Sequence, residues 1–218
     1  MANKLNMIIM GPPGAGKGTQ AKLIIKEHNI PHISTGDMFR EAIEEKSPLG
    51  LLAQQYINEG HLVPDDVTIG LVKERLAKDD CKNGFLLDGF PRTIPQAEAL
   101  EKMSKEIGRE IGLVLSINTP KEELIRRITG RLVCKNCGAP YHKDSRKPKA
   151  EGICDICGGE LIQRKDDNQE ALEVRLEHYD KQTKPLLEFY QNKGLLHVLD
   201  GVKGVDALML DINKILED

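Results

Sequence analysis

The glycine-rich stretch at 11–19, GPPGAGKGT, constrains the fold of this chain more than any other segment. The apolar run before it, residues 5–10, predicts a short buried strand, and residues 20–28 after it have the apolar spacing of a helix. Glycines lack the Cβ that would block close approach, so the backbone N–H groups of such a loop can surround a polyphosphate. The helix N-terminus adds partial positive charge, and Lys17 can reach the β- and γ-phosphates. We interpret the stretch as a phosphate-binding loop; the alternative is an ordinary turn.

The loop departs from the general pattern at one position. Ser or Thr usually follows the lysine directly, whereas Gly18 follows it here and the hydroxyl comes one residue later, at Thr19. We therefore do not assign Thr19 as a direct Mg²⁺ ligand and expect the metal to be held largely through water.

A second apolar run, 85–87, ends in Asp88, which predicts a carboxylate at the C-terminal edge of a strand. Ligands gather at this edge in open parallel sheets, and a carboxylate there can orient Mg²⁺ and its waters beside the phosphates. The alternative is an ordinary turn aspartate. Arg92 follows at the same edge, where a guanidinium can bind a phosphate through two hydrogen bonds.

Composition excludes several classes of protein. The chain has 218 residues, 39% of them hydrophobic, which suits one α/β core with a small inserted module. A net charge of only −3 favours neither a nucleic-acid coat nor a membrane surface. No apolar run approaches the ~20 residues needed to span a bilayer, and the apolar segment at the N-terminus is too short for a signal peptide. We therefore expect a cytoplasmic protein with no membrane and no nucleic-acid partner.

Four of the five cysteines form two Cys-x-x-Cys pairs with sixteen residues between them: Cys134, Cys137, Cys154 and Cys157. The segment between the pairs is poor in apolar residues, so it cannot order itself by burial alone. Paired thiols at this spacing predict a closed, tetrahedral and therefore structural Zn²⁺ site. The alternative is a redox dithiol, but no thioredoxin-like βαβ pattern surrounds the cysteines. Cys81 belongs to no motif.

The rest of the chain alternates between strand and helix patterns. Apolar runs at 31–34, 85–88, 111–117 and 195–200 join the first strand to make five, separated by helical segments. This alternation predicts a parallel sheet with helices on both faces and right-handed crossovers. Ser47 and Pro48 predict a helix start within a small helical excursion, and Pro185 predicts a kink in a long helix that begins near 168.

Taken together, the motifs resemble the adenylate kinase family, and the resemblance covers nearly the whole chain. The similar segments are 11–19, Ser34-Thr35-Gly36-Asp37, Asp88-Gly89-Phe90-Pro91-Arg92, Gly130-Arg131, Tyr141-His142 and Arg164-Lys165-Asp166-Asp167. The cysteines resemble those of the zinc-bearing, long-lid type. The resemblance implies a P-loop NTPase-like, five-stranded parallel α/β core formed by 1–33, 64–129 and 168–218. It also implies a helical nucleoside-monophosphate-binding insertion at 34–63 and a zinc-containing lid at 130–167.

The resemblance also implies roles for individual residues. Those expected to bind ATP are Gly14, Ala15, Gly16, Lys17, Gly18, Thr19, Arg131, Pro140, Tyr141 and Lys203, the last through its backbone. Those expected to bind AMP are Thr35, Arg40, His61, Leu62, Val63, Gly89, Phe90, Pro91, Arg92, Gln96, Arg164 and Arg175, with Gln96 reading the adenine edge. The charged groups expected to act in catalysis are Lys17, Asp88, Arg92, Arg127, Arg131, Arg164 and Arg175. For any one arginine of the cluster Arg126, Arg127 and Arg131, a solvated helix face is the alternative.

The implied reaction is Mg²⁺ATP + AMP ⇌ 2 ADP in a monomer whose insertion and lid close to exclude water. The acceptor is a phosphate oxygen that is already anionic, so we assign no general base. A rival within the same class is a kinase for UMP or CMP, or one that uses GTP as donor. From a different class, the cysteines could form a nucleic-acid-binding zinc ribbon, but aromatic residues for base stacking are scarce there.

Overall fold

The computed structural model describes residues 3–217. Its core is a five-stranded parallel sheet of β1 (Asn6–Met10), β2 (His32–Ser34), β3 (Phe85–Asp88), β4 (Leu113–Asn118) and β8 (Leu196–Asp200). The strand order is β2-β3-β1-β4-β8, so β1 lies at the centre, between β3 and β4. The predicted number and direction of the core strands are confirmed. Because the strands are parallel, the loops at their C-terminal ends meet at one edge.

Helices cover both faces of the sheet, as predicted. On one face, Met7 and Ile9 pack with residues of α1 (Lys17–His28), α6 (Lys121–Thr129) and α9 (Val205–Glu217). On the other face, Ile8 and Met10 pack with residues of α4 (Asp65–Leu76), α5 (Ile94–Glu106) and α8 (Pro185–Gln191). Successive side chains of β1 point to opposite faces, so this one buried strand anchors both layers.

The helical insertion, residues 34–63, consists of α2 (Thr35–Glu44) and α3 (Pro48–Ile57). The Ser47 side chain accepts a hydrogen bond from Gly50 N, and Pro48 lies in the first turn, which confirms the predicted helix start. A Cβ built on Gly50 would come within 1.9 Å of Ala42 O. The two helices therefore touch backbone to backbone, and only glycine fits at this crossing.

The lid segment, residues 130–167, contains a small antiparallel sheet that the sequence analysis did not predict. Its strands are β5 (Arg131–Cys134), β6 (Pro140–His142) and β7 (Leu161–Ile162), in the order β6-β5-β7. Two of the four cysteines, Cys134 and Cys154, are buried in its only apolar cluster among the described residues. The strands are too short to show a period-two pattern, and their pairing depends on the cysteine turns.

The long helix predicted from 168 is interrupted before Pro185. An α-helix, α7 (Gln169–His178), passes into a wider π-helical turn at Tyr179–Thr183, and α8 begins at Pro185. Lys184 N donates to Tyr179 O at 2.8 Å, five residues back. Proline has no N–H and its ring crowds the carbonyl four residues earlier. The chain widens ahead of the proline, so the irregularity lies one turn earlier than predicted.

No helix within 3–217 has the length and apolarity to cross a bilayer.

Candidate active site

The phosphate-binding loop lies between β1 and α1, as predicted. Gly11, Gly14 and Gly16 all have positive φ values, of 142°, 86° and 104°. A Cβ on Gly11 would lie 2.5 Å from Ile117 O, and one on Gly14 would lie 3.0 Å from Leu124 O. The loop is thus pressed against β4 and α6, and glycine is required both for its conformation and for its packing.

Lys17 lies over this loop. Its Nζ donates to Gly11 O at 2.8 Å and to Pro12 O at 2.9 Å. Burial lowers the pKa of Lys17 to about 8, although the charge of Asp88 raises it in part. This half-buried ammonium donates hydrogen bonds only to neutral carbonyls and is compensated only in part by Asp88, so a polyphosphate would supply the missing counter-charge.

Asp88 ends β3 beside the loop, at the predicted strand edge. Burial on its own would raise the pKa of Asp88, but the adjacent His32 and the charge of Lys17 hold the pKa below its ordinary value. His32 Nε2 lies 3.4 Å from Asp88 Oδ2. The carboxylate is therefore ionised and is fixed by its neighbours, as a group that orients hydrated Mg²⁺ must be.

Arg92 and Arg175 converge on Lys17 and line the same cleft with it. Arg92 Nε donates to Gly89 O at 2.8 Å, and Arg175 NH1 lies 3.1 Å from Asp166 Oδ2. Burial lowers the pKa of Arg92 below its ordinary value and that of Arg175 to about 10. Each of these cations also lowers the pKa of Lys17. The cleft therefore concentrates positive charge.

Two further arginines reach this region from the lid segment. Arg131 forms a two-pronged ion pair with the fully buried carboxylate of Asp167, with 2.7 Å from Nε to Oδ2. Arg164 NH2 lies 3.3 Å from Asp37 Oδ1 in the insertion, and the same oxygen accepts from Arg40. Asp37 thus joins the insertion to the lid segment. The sequence analysis gave it no role, although it belongs to one of the quoted motifs.

Arg127 lies on the other side of the phosphate-binding loop. Its guanidinium donates to Glu123 Oε1 at 2.7 Å, to Ala15 O at 3.2 Å and to Gly201 O at 2.9 Å. Hydrogen bonds from Arg126 and Arg127 lower the pKa of Glu123 to about 2. The structure therefore gives Arg127 contacts with the loop backbone, and it is absent from the residues that line the two clefts.

A second cleft lies between the insertion and the core. Nine of the residues expected to bind AMP line it: Thr35, Arg40, His61, Leu62, Val63, Gly89, Arg92, Gln96 and Arg175. Of the other three, Pro91 lines the first cleft, Phe90 packs in the core, and Arg164 pairs with Asp37. The two clefts share Gly60, Leu62, Gly89, Arg92 and Arg175, so they meet end to end.

Gln96 is held in place by neighbours that sequence analysis did not identify. Its Oε1 accepts from Arg92 N at 2.7 Å, and its Nε2 donates to Asp65 Oδ1 at 2.7 Å. Asp65 also accepts from Thr93, the N-cap of α5. Asp65 opens α4 directly after Pro64, a position that reads as an ordinary helix start, so the sequence carries no sign of this contact.

Pro140, Tyr141 and Lys203, which are expected to contact ATP, differ in which of their groups are available for contact. Pro140 is half-buried in β6, whereas the ring of Tyr141 is buried within the lid segment and its hydroxyl accepts from Asp155 N at 2.8 Å. Only the backbone of Tyr141 can therefore face a nucleotide. The Lys203 ammonium pairs with Asp211 at 2.5 Å and its backbone N–H donates to Asp200 O at 3.3 Å, so the side chain is not directed at a nucleotide.

The four predicted cysteines come together in the lid segment. Their sulfur atoms all lie within 4.8 Å of one another. The Sγ atoms of Cys134 and Cys157 are 3.4 Å apart, and those of Cys137 and Cys154 are 3.7 Å apart. Four sulfurs at ~2.3 Å from a tetrahedral Zn²⁺ would lie just under 4 Å from one another. The donor set and its spacing therefore fit zinc. Cys81 is buried in the core, far along the chain from this cluster.

Comparison with known proteins identifies the family. A family model described as adenylate kinase matches residues 9–195. The chain belongs to the adenylate kinase family. Proteins named adenylate kinase from Geobacillus sp. (strain WCH70) and Bacillus pumilus (strain SAFR-032) are each 56% identical to it. One from Clostridium botulinum (strain 657 / Type Ba4) is 55% identical. Each match covers 97% of this chain and 98% of the relative.

As a member of the adenylate kinase family, the protein is a nucleoside monophosphate kinase, an ATP:AMP phosphotransferase whose chemistry requires Mg²⁺. The phosphate-binding loop and the two joined clefts are the parts of the structure that can accommodate the two nucleotides of this reaction.

Proposed function

We propose that this chain catalyses Mg²⁺-dependent, reversible phosphoryl transfer from ATP to AMP across the boundary between the two clefts. ATP would lie with its phosphates on residues 14–19, and AMP would lie in the cleft under the insertion. The observation that carries this assignment is that Arg92 and Arg175 line both clefts. Two guanidinium groups at the junction can bind the transferring phosphoryl group and its acceptor at the same time.

Positioning and charge account for the chemistry. The AMP phosphate oxygen is already anionic, so no residue needs to remove a proton. Mg²⁺, when bound with ATP, neutralises charge on the β- and γ-phosphates. Lys17, Arg92 and Arg175 are half-buried cations that supply further positive charge to balance the negative charge on the phosphoryl oxygens in the transition state. Asp88 remains ionised beside them and orients the hydrated metal.

The arginines that now pair with aspartates would exchange partners on binding. Arg131, Arg164 and Arg40 pair with Asp167 and Asp37. Incoming phosphates would compete with these carboxylates for the guanidinium groups. Arg127 would contribute through the loop backbone and the ATP side.

Three parts of the chain carry out these tasks. The core comprises 1–33, 64–129 and 168–218, the insertion 34–63 binds AMP, and the lid 130–167 covers ATP. Closure of both covers excludes water, which is the competing acceptor. Cys134, Cys137, Cys154 and Cys157 hold a structural Zn²⁺ that orders the lid without taking part in chemistry. A monomer in the cytoplasm remains the prediction from the sequence.

One assay tests the assignment. We expect the purified protein to form ADP from ATP and AMP, and to contain one zinc per chain by metal analysis. With UMP, CMP or GMP as acceptor, or GTP as donor, turnover should be much lower. A preference for another acceptor would reassign the second cleft, and salt-dependent nucleic-acid binding without turnover would reject the proposal.

Arg92→Ala tests the junction itself. Removal of one such electrostatic donor lowers kcat by ~10²-fold in comparable sites. Arg75→Ala is the matched control, because Arg75 pairs with Asp80 at 2.6 Å and lies outside both clefts. Turnover of Arg92→Ala within a few-fold of that of the control would contradict the assignment.

A further inference from the structure

Lys22 connects the core to the lid at a point outside both clefts. It lies on α1, one turn after the phosphate-binding loop, and its side chain is half-buried. Its Nζ donates to Gly138 O at 2.5 Å and lies 3.4 Å from Cys137 O. Both acceptors belong to the first Cys-x-x-Cys turn, more than a hundred residues farther along the chain. No nucleotide-binding role is assigned to Lys22 above.

The cysteine turn fixes where these two carbonyls point. Gly138 N donates to Cys134 O at 2.9 Å, and Cys134 N donates to Ala139 O at 2.9 Å. Gly138 has a φ of +62°, and a Cβ built on it would lie 3.7 Å from Lys22 Nζ. These two bonds use the N–H and carbonyl of Cys134, the N–H of Gly138 and the carbonyl of Ala139. The carbonyls of Cys137 and Gly138 remain directed toward α1.

We infer that Lys22 is a positioning residue that stabilises the closed lid by gripping the carbonyls of the cysteine turn. The inference rests on the proposed function, in which the lid covers ATP. The contact exists only while the lid lies against α1, so it lowers the free energy of the closed state and leaves the phosphoryl transfer step unchanged. An ammonium–carbonyl hydrogen bond is charge-assisted and is stronger than a neutral one. The cysteine turn thus serves as a docking point for the core as well as part of a metal site.

Lys22→Met in the zinc-loaded enzyme is the test. We expect KM for ATP, and the Kd of ATP measured by calorimetry without AMP, to rise about three- to tenfold, the range for one ordinary hydrogen bond, because this contact is partly exposed to water. The KM for AMP should not change, and kcat should stay the same or rise because the lid opens more readily. Lys22→Arg keeps a charged donor and should recover most of the ATP affinity.

Lys26→Met is the matched control, because Lys26 lies one turn farther along α1 and is exposed. It should leave both nucleotide affinities unchanged. Zinc content and melting temperature, measured for every variant, identify any loss of folding. ATP affinity of Lys22→Met equal to that of Lys26→Met would overturn the inference, and so would an equal loss of AMP affinity.

Arg131→Ala separates this inference from the proposed function. If Arg131→Ala lowers turnover while Lys22→Met behaves as wild type, the lid acts on ATP and only the role of Lys22 is wrong. If Arg131→Ala also behaves as wild type, the assignment of the lid to ATP is wrong as well.

Discussion

The insertion and the lid have similar sizes, but different interactions hold them in shape. The insertion has an apolar cluster in which Phe39, Ala53 and Val63 are buried and residues of α4 pack against it. The apolar cluster of the lid is smaller: its buried members are Cys134, Ala139, Tyr141, Cys154 and Leu161. The insertion is therefore built like an ordinary small helical domain, whereas the lid has the four-cysteine cluster that fits zinc in place of a larger apolar core.

The two covers also differ in how they meet the core. The lid makes charged contacts with the core: Asp166 with Arg175 of α7, and the carbonyls of the first cysteine turn with Lys22. The insertion meets α7 through Gly60 and through His61, whose Nδ1 lies 2.8 Å from Nε2 of His178. A Cβ on Gly60 would lie 3.0 Å from Ala171 O. We therefore predict that closure of the lid depends mainly on charge, whereas closure of the insertion depends on close packing and on one pair of histidines.

The largest expected effect compares one arginine from each cover. Arg131→Ala should lower kcat by ~10²-fold, because in the proposed complex this lid arginine leaves Asp167 and binds the transferring phosphoryl group. Arg40→Ala in the insertion should mainly raise the KM for AMP, because Arg40 lines only the AMP cleft. Steady-state kinetics with each nucleotide varied in turn would measure both. If both variants changed the same kinetic parameter, the division of labour between the covers would be wrong.

Removal of the metal should affect only the lid. Chelation of zinc, or Cys154→Ser, should lower the melting temperature and expose the lid to proteolysis within 143–152, because four thiolates replace its core. Residual turnover should persist in the protein that stays folded, since zinc performs no chemistry. Mass spectrometry of the fragments would locate the cuts. Immediate loss of all turnover with the fold intact would show that the metal has a catalytic part.

The reciprocal experiment removes the apolar core of the insertion. Phe39→Ala should cost about 3 kcal/mol of local stability, the lower end for a buried aromatic side chain. The KM for AMP should rise, while the zinc content and the KM for ATP stay unchanged. Leu51→Ala is the control, because Leu51 lies in the same insertion and is 56% exposed. An equal effect of the two substitutions would mean that the apolar cluster does not hold the insertion.

The smallest effect should come from pH. Burial and the neighbouring His61 lower the pKa of His178, against the opposing charge of Glu177 and with a small contribution from Lys181. A contact that lowers the pKa of a histidine disfavours its charged form, so its stabilisation is present above pH 6.5 and is lost as pH falls below it. Glu59, 3.6 Å from His61, moderates the repulsion. The KM for AMP should therefore rise a few-fold between pH 7 and pH 5.5, by an order-of-magnitude estimate for one exposed contact.

His178→Gln isolates this effect from the titration of AMP itself. The variant should show a flatter pH profile of the KM for AMP, and the KM for ATP should have the same profile in both proteins. Identical AMP profiles would remove the histidine pair from the closure of the insertion.

The parts of the structure that could be predicted from sequence are those set by local patterns. The strand–loop–helix around Lys17, the Ser47–Pro48 helix start and the two Cys-x-x-Cys pairs each depend on neighbouring residues, and all three are present as predicted. The five core strands are continuous apolar runs, which a sheet covered on both faces requires.

The features that sequence did not reveal depend on contacts between distant segments. The strands of the lid are only four, three and two residues long and pair through the cysteine turns. The bond between Gln96 and Asp65, and that between Arg127 and Gly201, join segments that no local pattern links. The widened turn before Pro185 relieves the steric clash that proline causes in a helix. The proline predicts that the helix must adjust, but not at which residues it does so.

The shared wall between the two clefts has a consequence for redesign. Because Arg92 and Arg175 line both, donor and acceptor preferences cannot be tuned independently at that boundary. Any attempt to admit a different base or sugar must work from the far ends, around Gln96 on one side and Lys203 on the other. Substitution of Arg92 or Arg175 would weaken the binding of donor and acceptor at the same time.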